Sequence, residues 1–219
     1  MLDLTLFQDY QDSIVTGIVM TMKMSLVGII AGSVLGLLLF ASLRVGGRFL
    51  APLYRAYITL FRGTPLLVQL FVVFYGGPHV GLDWSAEKVG LVGLTLYGAA
   101  YFAELFRAGF EAIPMGQVES ARDLGLSDLQ IFQTVLWPQM LARTIAPMVG
   151  QSVILVKESS VLSIITVAEL TNVAMTIANQ TYAMVEPYVL LALAYWGIAI
   201  AIARVGAALE ARVTRYQTR

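Results

Sequence analysis

The run Lys157-Glu158-Ser159-Ser160 puts an ammonium, a carboxylate and two hydroxyls into one turn of an otherwise apolar stretch, 144–167. A charge in hydrocarbon costs about 2.5–3.5 kcal/mol or more unless it is paired or faces water. Two arrangements meet that requirement. In one, the helix ends early and both charges stand at the outer surface. In the other, the helix breaks near mid-depth, and the charges, Ser159, Ser160 and freed backbone groups together hold a zwitterion. Glu158 suits a ligand ammonium; Ser160 and backbone N–H groups suit a carboxylate. Glu104 and Arg107 are a second polar pair, spaced to share a helix face. They are either a structural pair inside a bundle or a polar lining of a path or inner gate, with Glu104 as a further substrate contact. Glu111, nearer the interface, is expected to be solvated.

Other chemistry is excluded. The chain has no cysteine, so thiolate catalysis, thiolate metal sites and disulfides are absent. His79 is the single histidine and lies in a turn with Gly76, Gly77, Pro78 and Gly81, so no multi-histidine metal site exists. The lysines are Lys23, Lys88 and Lys157, and none follows a glycine. The G-x-x-x-x-G-K-[ST] loop that cradles nucleotide phosphates is therefore missing. Transport driven by ATP would need a second polypeptide as its engine, and the chain itself is expected to bind no cofactor.

These groups must be carried by membrane helices. Of 219 residues, 58% are hydrophobic and 13% charged, and mean hydropathy is +0.76, whereas a soluble domain is about 25% charged. Net charge is zero, against general nucleic-acid binding. A spanning helix needs about 20 apolar residues. Five stretches qualify: 13–43, 63–82, 89–113, 144–167 and 187–203. The polar segment 169–185 reads as an extramembrane or interfacial connection. Arg44, Arg48, Arg55 and Arg62 follow the first span, Arg122 and Arg143 the third, and Arg204, Arg212, Arg215 and Arg219 the fifth. Asp3, Asp9, Asp12, Asp83, Glu87, Glu169 and Glu186 mark the opposite ends, with Lys88 the main exception. The positive-inside rule puts the N-terminus outside and the C-terminus in the cytoplasm. The expectation is an all-α polytopic membrane protein, one undivided domain over 1–219.

The inner connection 114–143 has its own structure. Residues 118–124 favour helix, and Gly125 suits a left-handed cap. Glu119 and Arg122 lie one turn apart, as a weak surface pair would. Ser127 with Gln130 reads as a capping box opening a second helix over 129–136, which ends before Pro138. Glu119, Ala121, Gly125 and Pro138 fall at the spacings of a loop signature, E-A-A, three residues, G, nine residues, I-x-L-P. That segment resembles the coupling loop of permease subunits of binding-protein-dependent ABC importers. Ser120, Val135 and Trp137 depart from its alanine, isoleucine and leucine.

The segments 61–69 (FRGTPLLVQ), 99–109 (AAYFAELFRAG), 157–162 (KESSVL) and 167–171 (VAELT) look like those of the polar amino-acid branch, with Glu158 in place of aspartate. The resemblance implies the type I importer fold of about five spans with a cytoplasmic coupling helix. It implies a place in the bacterial inner membrane, beside an identical or related second permease. It also implies a cytoplasmic ATPase dimer that binds the ATP, docking at Glu119, Ala121, Arg122, Gly125 and Pro138. An extracytoplasmic solute-binding protein would deliver a polar amino acid. A secondary transporter or channel would explain the spans without the structured inner loop.

Three further expectations concern packing. Gly28, Gly32 and Gly36 form a small-residue stripe for close helix approach. Pro65 kinks or starts a helix. Residues 2–10 lie along the outer surface, and Trp84, Tyr182, Tyr188, Trp196 and Tyr216 fall near the interfaces.

Overall fold

A computed structural model describes residues 8–214. The expectation for 2–10 lies mostly outside that range, as do Asp3, Arg215, Tyr216 and Arg219. Among the described residues the elements are helices and turns, with no strand.

Helix α1, Gln11–Gly63, has 53 residues, far more than the about 30 Å of hydrocarbon requires at about 1.5 Å per residue. Gly47, at φ 49° and ψ −130°, divides it into two arms. Only glycine adopts such a backbone cheaply. The first arm descends along α3, Ala86–Glu111. A Cβ on Gly28 would stand 3.0 Å from Leu94 Cβ, one on Gly32 3.3 Å from Ala99 N, and one on Gly36 2.9 Å from Ala103 N. The glycine stripe thus lets two backbones touch. The second arm climbs back on the same helix: Tyr54 OH donates to Glu104, and Tyr57 OH donates to Leu96 O at 2.7 Å.

The second span therefore begins near residue 48 rather than at 63. Counting only uncharged residues hid it, because Arg55 and Arg62 lie within the helix. The span is broken at Thr64-Pro65, both extended, and resumes as α2, Leu66–Gly76. Pro65 starts that helix as expected. A break at depth frees backbone carbonyls that hydrocarbon cannot satisfy. Gln69 answers them: its amide donates to Phe61 O and Thr64 O at 3.1 Å each, and to Thr64 Oγ1 at 2.8 Å. The outer turn Gly77–Val80 carries an exposed His79.

The inner elbow consists of α4, Met115–Asp123, and α5, Asp128–Ile131. The second helix does not end before Pro138. A π turn, Phe132–Leu136, leads without interruption into α6, Trp137–Glu158. The wider π turn makes room for a residue that has no N–H and whose ring crowds the preceding turn. The fourth span thus starts well before 144. Beyond Glu158 the chain tightens to a 3₁₀ turn, Ser159–Ile165.

The polar segment after 169 is not a bare connection. It forms α7, Leu170–Thr181, whose Leu170, Ala174, Ile177 and Ala178 are buried. A Cβ on Gly17 would meet Val173 Cγ2 at 2.9 Å, so α7 packs on the first arm of α1. Helix α8, Glu186–Val213, closes the bundle. Among the described residues four helical stretches are long and apolar enough to span a membrane. The second arm of α1 lies within the first of them and, with α2, makes the fifth crossing. The core joins Met24, Leu94, Phe102, Leu155 and Leu162, each fully buried.

Candidate functional site

Depth comes first. Leu155 Cδ2 lies 3.1 Å from where a Cβ on Gly98 would stand, and Gly98 is at the middle of α3. Glu158 is one turn further along α6, about 5 Å toward the outer end at about 1.5 Å per residue. The α-to-3₁₀ change therefore lies beside α3 between the levels of Gly98 and Gly90, where Leu155 and Leu162 pack.

The four residues of the run then part company. Lys157 is exposed and Glu158 half-buried; consecutive helical residues point about 100° apart. Among the described residues neither makes an ion pair. Tyr97 of α3 is close enough to Glu158 to feel its charge, and its hydroxyl donates to Tyr101 OH at 3.2 Å. Ser160 is half-buried, its hydroxyl donating to Lys157 O at 2.7 Å. Ser159 is fully buried and its hydroxyl is committed: it donates to Val156 O at 2.7 Å and accepts from Ser25 at 3.2 Å. Ser159 thus anchors the turn, while Glu158 and Ser160 keep accessible surface.

Glu104 is also committed. Arg107 grips it with two parallel bonds, Nε to Oε1 and Nη2 to Oε2, both 2.9 Å. Tyr54 OH donates to Oε1 at 2.8 Å, and Arg62 Nη1 reaches Oε2 at 3.4 Å. Arg62 also lies over the Tyr101 ring, 5.1 Å from its centroid. Glu111, expected to be solvated, is exposed yet bonds Arg107 at 2.6 Å. Tyr54, Glu104, Arg107 and Glu111 border a pocket of about 420 Å³ with Arg55 and Thr59. The second and third spans are thus cross-linked by charge and hydrogen bonds beside this pocket.

Sequence reasoning missed Glu169. It has no exposed surface. Its oxygens accept from the backbone N–H groups of Thr171 and Asn172 and from Tyr195 OH, each at 2.9 Å. Thr21 Oγ1 lies 3.5 Å from Oε2 and accepts from Leu170 N at 3.0 Å. One carboxylate caps α7 and ties it to α1 and α8. The signal was available: an N-cap acceptor before Leu170, Ala174, Ile177 and Ala178, a helical spacing.

In the elbow, Gly125 has φ +80°, and its N–H donates to Arg122 O at 2.8 Å. Leu126 N donates to Ala121 O at 3.2 Å, which completes the left-handed cap. The Ser127–Gln130 capping box is complete. Glu119 is exposed, and Arg122 turns to Asp128 at 3.4 Å rather than to Glu119. Ala121 faces inward, 5% exposed. Pro138 sits on α6, past the π turn and outside the elbow. Leu124 is 81% exposed at the elbow's tip, with no cover from this chain. A short capped elbow with an apolar tip is suited to being gripped.

The pattern described as binding-protein-dependent transport system inner membrane component matches residues 28–215. The chain belongs to this family. It is a multi-pass inner-membrane transporter subunit rather than an enzyme, and a partner subunit hydrolyses ATP. Among relatives, "Probable amino-acid ABC transporter permease protein YckA" of Bacillus subtilis is 34% identical over 93% of this chain and 90% of its own. The octopine transport system permease protein OccM of Rhizobium meliloti is 33% identical, over 90% and 84%. A crystal structure of an amino acid ABC transporter with histidines superposes with TM-score 0.90 at 29% identity, covering 97% of this permease and 99% of that chain. An inward-facing MetNI methionine ABC transporter gives 0.76 at 25%, covering 94% and 99%. The permease has the fold of these importers.

Proposed function

We propose that this permease carries a polar amino acid inward by alternating access, with Glu158 and Ser160 as its substrate contacts. The observation that carries the reading is the helix break beside α3, which leaves a half-buried carboxylate without an ion-pair partner among the described residues. A substrate ammonium satisfies Glu158, and the Ser160 hydroxyl, once it turns from Lys157 O, donates to the carboxylate. Lys157 stands one residue away for an anionic group. Glu104, already satisfied four times, holds the inner vestibule rather than the ligand.

The N-terminus lies outside and the C-terminus in the cytoplasm, as the arginine distribution directs. An ATPase dimer binds ATP and grips the elbow at Glu119, Arg122 and the Gly125 turn. A second permease, identical or related, completes the path, and an extracytoplasmic binding protein delivers the substrate. Nucleotide and binding protein supply the preference between inward and outward states, because a ligand shifts only equilibria in which it favours one state. The secondary-transporter alternative loses its ground with the family assignment.

The test is uptake by vesicles holding the assembled transporter. Wild type should accumulate a polar amino acid only with ATP and binding protein. Glu158→Gln should assemble and bind the ATPase normally, yet transport at least about tenfold more slowly, the equivalent of about 1.4 kcal/mol. Wild-type uptake by that variant removes Glu158 from the site.

A further inference from the structure

The inner end of the first arm of α1 borders a groove that the transport reading leaves unused. It holds about 790 Å³, within the about 300–1,000 Å³ of small-molecule sites. Leu37, Phe40 and Phe110 form its apolar floor, Trp137 lines it from α6, and its charged residues are Arg44, Arg122 and Asp128. The Arg44 guanidinium lies 4.2 Å from the Phe110 ring centroid. Among the described residues Arg44 has no carboxylate at ion-pair distance. Among the described residues Arg122 is held only by Asp128, at 3.4 Å, with side chains 60% and 88% exposed. Such a pair is weak and readily exchanged.

What reaches this groove is set by the surface beside it. Ile30, Val34, Leu38 and Val45 are 64%, 56%, 60% and 91% exposed, a continuous apolar face running down α1 to the groove. On a spanning helix that face meets hydrocarbon. Arg44 stands where it ends, at the side of the membrane marked by the arginine cluster. Apolar walls continuous with lipid, closed by two guanidiniums against one exchangeable carboxylate, match an acyl chain joined to a phosphate.

We propose that this groove binds an anionic phospholipid of the cytoplasmic leaflet. The phosphate lies between Arg44 and Arg122, and one acyl chain follows Leu37 and Phe40. Because Arg122 belongs to the elbow, the bound lipid braces the elbow against the first span.

The experiment uses the permease assembled with its ATPase in phosphatidylcholine nanodiscs carrying a small share of photoreactive phosphatidylglycerol. Cross-linked peptides are mapped by mass spectrometry. Labelling should concentrate on 37–45 and 131–137, and excess inorganic phosphate should not compete. Arg44→Gln should lower it about fivefold, the equivalent of about 1 kcal/mol for one basic side chain near an anionic surface. Arg44→Lys should restore most of it. Arg212→Gln, the same charge loss on α8, should leave it unchanged. The proposal is overturned by scattered labelling, by equal labelling with photoreactive phosphatidylcholine, or by equal effects of the two glutamine variants. It is also overturned if the floor residues Leu37, Phe40 and Phe110 cross-link to a second permease or the ATPase. Should Arg44→Gln fail to assemble, the comparison of the two lipids on wild type decides alone.

Discussion

Ser25 and Ser159, 134 positions apart, share a 3.2 Å hydrogen bond where α6 gives way to its 3₁₀ turn. Both are fully buried. The bond pins the residue immediately after Glu158 to the first span, so the direction of the candidate carboxylate is fixed by a hydroxyl pair on its inner side. Glu158 stays half-buried with no ion-pair partner among the described residues, while its neighbour's hydroxyl is already satisfied.

Removing one of those hydroxyls should be felt in both stability and transport. Ser25→Ala leaves Ser159 bonded to Val156 O, so only one bond is lost, at about 0.5–1.5 kcal/mol. Substrate KM should rise, because the turn carrying Glu158 and Ser160 is loosened. Thermal melting of the solubilised complex and initial uptake rates check both effects. An unchanged melting temperature would show that the serine pair contributes nothing.

Glu169 should be the most sensitive acidic position. Glu169→Ala strands two N–H groups of α7 inside the bundle and leaves the Tyr195 hydroxyl with Thr171 Oγ1 as its partner. The lost cap costs about 0.5–2 kcal/mol, and each buried unpaired donor about 1–3. Tyr195→Phe removes the bond to Glu169 and the 3.3 Å contact with Thr171 Oγ1, at about 0.5–1.5 kcal/mol each, but leaves both capping bonds of α7 in place. The ranking is read from melting temperatures of the assembled transporter; equal shifts for the two variants contradict it.

What could be read from the sequence follows from how local each signal is. The elbow was legible almost residue by residue, because a left-handed glycine and a capping box are set by neighbours a few positions apart. The Gly28, Gly32 and Gly36 stripe was legible for the same reason. The second span was misplaced because Arg55 and Arg62 seemed to bar a helix from the membrane. The tolerance of Arg62 depends on Glu104 and Tyr101, about forty residues away in sequence, and no local pattern states that. Pro138 reads as a helix end in the sequence because a π turn leaves no compositional trace. Glu158 was legible as a charge in apolar surroundings; that Ser159 turns inward while Ser160 does not depends on Ser25, on another helix.

Gly125 should separate backbone strain from crowding. A Cβ there meets nothing within 4 Å, but φ is +80°. Gly125→Asn should be tolerated, since asparagine visits the left-handed region with little strain. Gly125→Val should cost about 1–3 kcal/mol locally and reshape the elbow. The expected readout is ATP hydrolysis that persists while uptake falls, or loss of ATPase binding. Normal coupled uptake by the valine variant removes this turn from the docking surface.

Gly36 should behave oppositely to Gly150. A Cβ at Gly36 falls 2.9 Å from Ala103 N and 3.0 Å from Ala99 O, both backbone atoms that yield only if two spans separate. Gly36→Ala should cost about 1–3 kcal/mol. A Cβ at Gly150 meets nothing within 4 Å of this chain, so Gly150→Ala should gain about 0.5–1 kcal/mol from helix propensity. Melting of the solubilised subunit should move in opposite directions for the two variants.

The vestibule charges should be unequal partners. Glu104 keeps both Arg107 bonds and the Tyr54 bond when Arg62 is lost, whereas losing the Glu104 charge leaves Arg62 without a carboxylate and Arg107 with Glu111 alone among the described residues. Arg62 is 41% exposed and 3.4 Å from Glu104, so Arg62→Gln should cost less than about 1 kcal/mol. Glu104→Gln should cost about 1–3 kcal/mol, since the group is only 19% exposed and serves three donors. Arg62 adjoins the Gly63-Thr64-Pro65 break, so its loss should act on movement: uptake rate should change while assembly and melting temperature hold. In the double variant the cost should be close to that of Glu104→Gln alone, because Arg62 has by then lost its partner. A fully additive double variant would show that the 3.4 Å contact carries no energy, and that Arg62 is held by the Tyr101 ring instead.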